Sequence, residues 1–323
     1  MDESREIVQV TGLRKRYRAE GPEAVAGIDF AVREGEIFGL LGPNGAGKTT
    51  TIGIVTTRVK PTGGTALVDG HDVAREPVEA KRRIAVVPQL SNLDRSLTAI
   101  ENLTFHAAYF GAGRRERRRR AMELLERFGL GDRANEKVGR YSGGMAQRLM
   151  IARALMHQPL VLFLDEPTTG LDPQSRLFLW ETMLDLRGRG TTLVLTTHDM
   201  SEADRLCDRI AIVDHGSIIA LDTPRGLRGV LPATAGIDVV LESEVEPPAE
   251  AFQSIDGAEK VEVGSAGEGR WRVRVYGEHP RLAQGALAVA QNGALTDASL
   301  LELRRIEGSL EDVFMHLTGR EMR

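Results

Sequence analysis

The fold of this chain is decided by the stretch Gly42-Pro43-Asn44-Gly45-Ala46-Gly47-Lys48-Thr49. It matches the phosphate-loop pattern G-x-x-x-x-G-K-[ST] at each required position. The apolar run 36–41 before it predicts a buried strand, and the run 50–55 after it predicts a helix. A Gly-rich turn that merely precedes a lysine is the alternative, but the flanking strand and helix argue against it. The sequence therefore predicts an α/β protein that binds a nucleoside triphosphate.

Each part of this loop has a predicted task. The glycines allow the backbone to curl so that its N–H groups point at phosphate oxygens, and the N-terminus of the helix adds its dipole. We expect the Lys48 ammonium to reach the β- and γ-phosphates and the Thr49 hydroxyl to hold Mg²⁺. The predicted nucleotide-binding positions of the loop are Gly42, Pro43, Asn44, Gly45, Ala46, Gly47, Lys48, Thr49 and Thr50.

A pair of carboxylates ends a second apolar run, residues 161–164. Asp165 is placed to bind Mg²⁺, often through water. Glu166 is placed to polarise the attacking water. Two adjacent acids can instead cap a following helix, but the phosphate loop upstream favours the catalytic interpretation.

Three more positions are ambiguous when taken singly. Gln89 ends the predicted strand 83–89 and either ligates Mg²⁺ or the attacking water or is simply solvated. His198 closes the strand 191–198 and either contacts the γ-phosphate or is a capping or surface residue. Tyr17 either stacks on the nucleotide base or is an ordinary surface tyrosine, and the spacing favours neither.

A second anion-binding helix start is predicted at Ser142-Gly143-Gly144, which precedes an apolar-periodic run. Alone it is a common helix N-cap. Two such helix starts in one domain suggest a shared phosphate site. Asp172 lies in the turn 169–173, from which it can point across an interface.

Taken together and in this order, these motifs resemble the ATP-binding cassette ATPases over residues 5–228. The resemblance implies a P-loop NTPase fold with a RecA-like core, a β-subdomain and a helical signature subdomain. It implies two cassettes packed head to tail, with each ATP held by the phosphate loop of one and the signature of the other. ATP and Mg²⁺ are the implied cofactors.

The resemblance also assigns roles to individual residues. Tyr17 is similar to the base-stacking aromatic, and Gln89 to the lid glutamine that senses Mg²⁺ and couples to the membrane partner. Glu166 is similar to the catalytic base and His198 to the switch histidine. The signature Ser142-Gly143-Gly144 is implied to clamp the γ-phosphate across the dimer, and Asp172 is similar to the interface aspartate.

The signature departs from the family pattern at two positions. Tyr141 and Met145 stand where Leu and Gln are usual, which weakens polar contacts at position 145 but leaves the backbone clamp. With the stretches 87–94 and 310–320, this motif resembles the ATP-binding subunits of daunorubicin-type drug-resistance exporters and nodulation lipo-oligosaccharide exporters. Both pair with separate membrane subunits of the type-2 (ABC-2) class.

Beyond the cassette, residues 229–236 form a Pro/Gly/Ala-rich boundary. Residues 237–323 then alternate as βαββαβ, which predicts a small ferredoxin-like α+β domain, followed by an amphipathic helix at 310–317. This part contains no catalytic constellation, so we expect it to brace or regulate the ATPase dimer. No residue argues for a substrate pocket in it.

Composition limits the partners. The net charge of −4 gives no general attraction to nucleic acid or to anionic membranes. The arginine-rich run 114–120 is interpreted as a solvated helix face rather than a contact to phosphates or lipid headgroups. A polar start, one cysteine (Cys207) and no apolar run of membrane-spanning length predict a cytoplasmic chain without disulfides that reaches a membrane only through a partner.

The sequence therefore predicts an ATP-hydrolysing motor of a bacterial exporter for drug or lipid-like cargo, at the cytoplasmic face of the membrane. Its expected partners are a second copy or a homologous ATPase and a polytopic permease, with no nucleic acid. A soluble cassette in DNA repair or on the ribosome is the alternative, although the usual coiled-coil insertion or second cassette is absent. A non-hydrolysing binder would need damage at Lys48, Asp165 or Glu166, and all three are intact.

Overall fold

The computed structural model describes residues 5–231, 235–277, 281–291 and 298–320. The chain divides into two compact units between Pro224 and Arg225. The domain limits expected from the sequence, 5–228 and 237–323, stay predictions, and residues 232–234 of the expected linker lie outside the described residues.

The first unit alternates strands and helices. Its strands are β1 (Glu6–Arg16), β2 (Glu23–Arg33), β3 (Ile37–Leu41), β4 (Gly63–Val68), β5 (His71–Asp72), β6 (Ile84–Val87), β7 (Val161–Asp165), β8 (Thr192–Thr197), β9 (Arg209–Asp214) and β10 (Ser217–Asp222). Its helices are α1 (Lys48–Val55), α2 (Pro77–Arg83), α3 (Ala99–Tyr109), α4 (Arg114–Arg127), α5 (Gly143–Ala154), α6 (Pro173–Gly188) and α7 (Met200–Leu206), and α8 (Pro224–Arg228) begins at the boundary between the units.

A six-stranded sheet of order β10-β9-β3-β8-β7-β6 is the centre of the first unit. All neighbouring strands in it are parallel except the hairpin of β9 and β10. Every residue of β3, β7 and β8 is buried, as expected for parallel strands that are covered on both faces. This arrangement confirms the predicted α/β fold.

A second, antiparallel sheet of order β2-β1-β4-β5 forms the β-subdomain. Its strand β1 continues through a basic segment to Arg16. Register shifts divide the β1–β2 pairing, and the basic end of β1 is held by ion pairs such as Arg14 Nη1 to Glu23 Oε2 at 2.9 Å. A strand whose end carries solvent-facing cations lacks the apolar alternation by which strands are recognised.

The helical subdomain consists of α3, α4 and α5. A capping box between Thr98 and Glu101 begins α3, and Ile100, Leu103 and Ala107 of this helix are buried. The inner face of α4 contains the buried residues Ala121, Leu124 and Leu125, and Met122 is half-buried.

The second unit combines a four-stranded antiparallel sheet with helices. Its elements are β11 (Ala235–Glu242), α9 (Ala249–Gln253), β12 (Lys260–Gly267), β13 (Arg270–Tyr276), α10 (Leu282–Gln291), β14 (Ser299–Glu307) and α11 (Leu310–Thr318). The strand order β12-β13-β11-β14 and the βαββαβ succession give the predicted ferredoxin-like topology. Phe252 of α9 and Leu282 of α10 pack with β11 and β13 in one hydrophobic core.

Within the described ranges, no helix combines the length and apolar character needed to cross a membrane.

Candidate nucleotide site

The polar residues predicted from the sequence lie at one edge of the parallel sheet. β3, β8 and β7 are neighbours that run in the same direction, so their carboxyl ends meet at this edge. The phosphate loop follows β3, Asp165 and Glu166 end β7, and His198 follows β8. The backbone N–H of Gly42 donates to the carbonyl oxygen of Thr197 at 3.3 Å, which ties the loop to the end of β8.

The phosphate loop turns tightly into α1. Gly47 precedes the helix with a φ of 105°, and a Cβ there would lie 2.3 Å from the carbonyl oxygen of Ala24. Any side chain at this position would therefore strain the backbone and collide with the β-subdomain. The turn needs glycine at this point.

The Lys48 side chain folds back into the loop and is only 4% exposed. Its Nζ donates to the carbonyl oxygens of Gly42 at 2.6 Å and Pro43 at 3.0 Å, and lies 3.8 Å from Oε1 of Glu166. Burial lowers the pKa of the ammonium, while the nearby Glu166 and Asp165 carboxylates oppose that shift. A cation is thus held between the phosphate loop and the acids at the end of β7.

Asp165 bridges two elements through one oxygen. Its Oδ1 accepts hydrogen bonds from the hydroxyls of Thr49 at 3.2 Å and Thr196 at 2.6 Å. Thr49 is the second residue of α1 and Thr196 lies in β8, so the carboxylate is fixed from both sides.

Glu166 is the most contacted carboxylate of the site. Its Oε2 accepts from Gln89 Nε2 at 3.1 Å and from Thr169 Oγ1 at 3.2 Å, and His198 Nδ1 lies 3.3 Å away. Its Oε1 faces Lys48 alone among these groups. The side chain is 9% exposed, and its backbone adopts a left-handed φ of 48°. The structure therefore brings Gln89, His198 and Lys48 together around Glu166.

Tyr17 lies next to the helix that follows the phosphate loop. Its hydroxyl is 3.4 Å from Oγ1 of Thr50, and its ring is 61% exposed with Lys15 Nζ 5.0 Å from the centroid. An exposed ring beside the first turn of α1 is free to stack on a base.

The signature Ser142-Gly143-Gly144 lies next to Asp172 at the start of α6, and not next to the phosphate loop. Ser142 caps α5 by accepting from the N–H of Met145, and Asp172 caps α6 by accepting from the N–H of Ser175 at 2.9 Å. A Cβ on Gly144 would lie 2.2 Å from Ser175 Oγ, so the two helix starts are in close contact. Among the described residues, no hydrogen bond joins this turn to the phosphate loop, and Ser142 and Gly143 are exposed.

Hydrogen bonds with the backbone also fix the side chains of Asp172 and Tyr141. The N–H of Ser175 holds the pKa of the Asp172 carboxyl below its usual range. The Tyr141 hydroxyl donates to the carbonyl oxygen of Arg133 at 2.9 Å, which fastens the start of the signature to the helical subdomain.

Sequence reasoning missed several hydroxyls and one acid. Thr196 accepts from the N–H of Glu166 at 3.0 Å while it donates to Asp165, so it positions both acids. Glu202 is fully buried, and its Oε1 accepts from Thr168 Oγ1 at 2.7 Å and Trp180 Nε1 at 3.0 Å. Thr196 could have been found from the sequence, because the pair Thr196-Thr197 directly precedes His198. Nothing in the sequence around Glu202 indicated its role.

The residues present fit the groups that the sequence implies. The hydroxyl of Thr49, the carboxylate of Asp165 and the amide oxygen of Gln89 are the hard oxygen donors that Mg²⁺ prefers. The loop whose glycine leaves no room for a Cβ and the adjoining helix start form a cradle for phosphate oxygens.

Comparison with known proteins agrees with this geometry. Residues 25–169 match the family described as ABC transporter. The daunorubicin resistance ATP-binding protein DrrA2 of Streptomyces coeruleorubidus is 42% identical, covering 97% of this chain and 95% of the relative. The Nod factor export ATP-binding protein I of Ralstonia nicotianae is 42% identical over 98% and 95%, and the linearmycin resistance ATP-binding protein LnrL of Bacillus subtilis is 39% identical over 98% and 100%.

Solved structures show the same cassette. An ATP-binding subunit of an ABC transporter superposes with a TM-score of 0.63 at 32% identity, covering 69% of this chain and 92% of that one. A dimeric, post-hydrolysis ATP-binding cassette bound to ADP and Pi gives a TM-score of 0.62 at 31% identity, covering 67% and 98%.

A fold of this kind with this site defines an ATP-hydrolysing cassette. The chain belongs to the ABC transporter family, as an ATP-binding exporter subunit. This confirms the predicted ATPase and exporter subunit over the soluble cassette for DNA repair or the ribosome and over the non-hydrolysing binder.

Proposed function

We propose that this chain is the motor of a drug or lipid exporter, works as a head-to-tail dimer, and binds a type-2 membrane permease at the cytoplasmic face of the membrane. One observation carries the motor assignment: Lys48, Asp165 and Glu166 meet at one sheet edge, and Glu166 is held there by Gln89 and by Thr169. Charged groups that are buried and convergent are expected where charge develops during a reaction.

The phosphate-binding roles follow from position. Lys48 exchanges its loop carbonyls for the β- and γ-phosphates of ATP, and the backbone N–H groups of residues 42–49 face the same oxygens. Thr49, Asp165 and Gln89 hold Mg²⁺, which supplies charge neutralisation of the phosphates when it is bound. Tyr17 stacks on the base.

Glu166 acts as the general base. Oε2 is occupied by Gln89 and Thr169, so Oε1 is the oxygen that accepts a proton from the attacking water. His198, 3.3 Å from Oε2, orients the carboxylate and contacts the γ-phosphate. Because Gln89 donates to the same carboxylate, a movement of Gln89 changes the position of the base.

The signature acts on a second copy. Ser142 and the N–H groups at the start of α5 are exposed and are not joined to their own phosphate loop, which fits a clamp on the ATP of a facing cassette. Asp172, packed against the same turn, faces the partner at this interface. One solved relative is itself described as dimeric. The partner is a second copy or a homologous ATPase.

The surface beyond Gln89 is proposed to receive the permease. Leu90, directly after Gln89, is 81% exposed, which leaves an apolar side chain available for contact with a partner at this surface. The relatives are named for daunorubicin resistance, linearmycin resistance and Nod factor export, and amphiphilic drug or lipid-like cargo is proposed on that basis.

The test of the motor is Glu166→Gln, with Glu181→Gln on the exposed surface of α6 as the matched control. The Glu166 variant should bind ATP, form a stable ATP-dependent dimer measured by light scattering, and lose turnover by about 10²- to 10⁴-fold. Retained phosphate release would exclude Glu166 as the base.

The partner is tested by mild extraction from the membranes of the native cells and purification of the tagged chain. A polytopic membrane protein in equal amount is the expected companion. Recovery from the soluble fraction alone would overturn the exporter proposal while leaving the ATPase intact.

A further inference from the structure

The first turns of α4 form a dense basic surface. Six of its first seven residues are arginines, and two of them have partners: Arg119 pairs with Glu123 at 2.6 Å, and Arg120 donates to the carbonyl oxygens of Leu155 and Met156. Within the described part of the chain, the side chains of the other four have no ion pair or hydrogen bond. We call these four the α4 basic patch; they are Arg114, Arg115, Arg117 and Arg118.

Helix stability does not explain this patch. Cations at a helix N-terminus oppose the macrodipole, and like charges four residues apart, such as Arg114 and Arg118, repel each other. The N-cap residue, Gly113, provides no side-chain hydrogen bond, and Glu116 is the one acid in the first turn. If these arginines were only a solvated helix face, as the sequence analysis interpreted them, their mutual repulsion and their unfavourable interaction with the helix dipole would have no compensating contact.

Two aromatic residues, Tyr109 and Phe110, line the same pocket as Arg117 of the patch. Tyr109 at the end of α3 is 88% exposed and Phe105 is 52% exposed. Phe110 is fixed by stacking on His157, with ring centroids 3.8 Å apart and planes within 4°. The segment that follows α3 is therefore anchored, and the exposed ring of Tyr109 lines the same pocket as Arg117 of the patch.

A concave pocket of about 950 Å³ adjoins the patch and gains further positive charge from Lys81 and Arg82 of α2. Of the patch residues, only Arg117 lines this pocket. Arg114, Arg115 and Arg118 are exposed outside it. A single peptide segment seated in the pocket would leave these three arginines unused, whereas an extended anionic surface reaches all of them.

We propose that the α4 basic patch, with Tyr109 beside it, binds the phosphate headgroups of anionic phospholipids at the bilayer surface. Guanidinium groups bind phosphate with paired hydrogen bonds, and four to eight basic residues on an amphipathic helix are typical of attraction to anionic lipid. An amphipathic ring such as that of Tyr109 suits the headgroup boundary. This inference rests on the proposed location at the membrane face, and it adds a lipid contact separate from the permease.

The test uses the purified full chain without nucleotide and sedimentation with vesicles. The chain should sediment with vesicles of phosphatidylcholine that contain 30% phosphatidylglycerol, a composition that supplies anionic charge. It should not sediment with vesicles of phosphatidylcholine alone. Binding should weaken with added salt. The combined variant Arg114→Glu, Arg115→Glu, Arg118→Glu should bind about a hundredfold less, at roughly fivefold for each lost cation. Tyr109→Ala should weaken binding by a smaller factor.

The control is the combined variant Arg58→Glu, Lys60→Glu, Arg75→Glu, which changes the net charge by the same amount at exposed sites outside the patch. It should bind vesicles as the unaltered chain does. Far-ultraviolet circular dichroism and ATP hydrolysis should be preserved in both variants, because none of these residues touches the nucleotide site.

Other outcomes decide against the proposal. Equal vesicle binding by the patch variant and the unaltered chain would overturn it. So would loss of co-purified permease with unchanged vesicle binding, which would assign the patch to an acidic protein segment. Displacement from vesicles by inorganic phosphate at matched phosphate concentration would indicate a free-anion site instead. Turnover of the Glu166 variant is independent of each of these readouts, so failure here leaves the motor assignment untouched.

Discussion

Two buried carboxylates, one in each compact unit, show how differently the two sheets use charge. Glu166 in the cassette accepts from Gln89 and Thr169 and faces Lys48, side chains from separate parts of the chain. Asp238 in the second unit is 1% exposed, and its Oδ2 accepts from Nε and Nη2 of Arg304 at 3.0 and 2.8 Å.

Strand direction explains the contrast. In the parallel sheet, the loops after β3, β7 and β8 all leave at one edge, so residues far apart in sequence converge there. In the antiparallel sheet, successive strands end at opposite edges, and Asp238 lies between the core residues Ile237 and Val239 with its side chain on the other face. Asp238 contacts cationic side chains of the neighbouring strands. Among the described residues, no cluster of amide, hydroxyl and ammonium groups like that at Glu166 forms around it. The buried carboxylate of the parallel sheet is thus part of a cluster at the sheet edge, whereas that of the antiparallel sheet joins neighbouring strands.

The largest expected effect tests the cassette side of this contrast. Lys48→Ala should lower ATP hydrolysis by about 10²- to 10³-fold, because it removes the buried cation that faces both Glu166 and the phosphate loop. Phosphate release measures it. Lys60→Ala, at an exposed position, is the control and should retain full turnover. Near-normal hydrolysis by the Lys48 variant would mean that Lys48, like Asp238, has only a structural role. The proposed difference between the two sheets would then be wrong.

The second prediction concerns Asp238→Ala. Loss of the buried acceptor should lower the free energy of unfolding of the second unit by about 1–3 kcal/mol, while turnover changes by less than about twofold. Urea unfolding followed by Trp271 fluorescence, in a Trp180→Phe background, reports on this unit alone. Asp256→Ala serves as the comparison variant. A loss of turnover with unchanged unfolding would place Asp238 in the catalytic cycle instead.

A smaller loss is expected for Thr196→Val. The substitution keeps the shape of the side chain but removes a hydroxyl that donates to Asp165 at 2.6 Å and accepts from the N–H of Glu166. Turnover should fall by about tenfold. Thr182→Val, which removes a helical hydroxyl that donates to Phe178, should not change it. Equal turnover in the two variants would show that the acids need no support from β8.

The smallest effect is expected from Glu202→Gln. This substitution should change how the free energy of unfolding depends on pH. Burial raises the pKa of the Glu202 carboxyl above 4.5, so the folded state holds a proton that the unfolded state releases. Its contribution to stability is complete below the unfolded value and is lost as the pH rises toward the folded value. Urea unfolding between pH 5 and 8 should therefore show a flatter stability curve for the glutamine variant. An identical slope would mean that Glu202 is ionised in the folded protein.

Much of this architecture could be predicted because local patterns specify it. The phosphate loop, the acids after β7 and the βαββαβ order are each contained in one continuous stretch, and the structure contains them where they were expected. The support of the site could not be predicted in the same way. Thr196 and Asp165 are 31 residues apart, and Thr168 and Glu202 are 34 apart. Which hydroxyl meets which carboxylate depends on strand order, which local periodicity does not encode.

The left-handed backbone at Glu166 has a consequence for anyone who evolves or engineers this chain. A φ of 48° is unfavourable for a side chain with a Cβ, so the contacts of Glu166 with Lys48, Gln89 and Thr169 offset a local backbone strain at the position of the proposed base. Glu166→Gly relieves that strain but leaves the buried Lys48 ammonium without its carboxylate, so the melting temperature of such a variant reports the balance of the two effects and not the presence of the base. A selection on stability alone therefore does not test position 166, and an engineering library must also be scored for turnover.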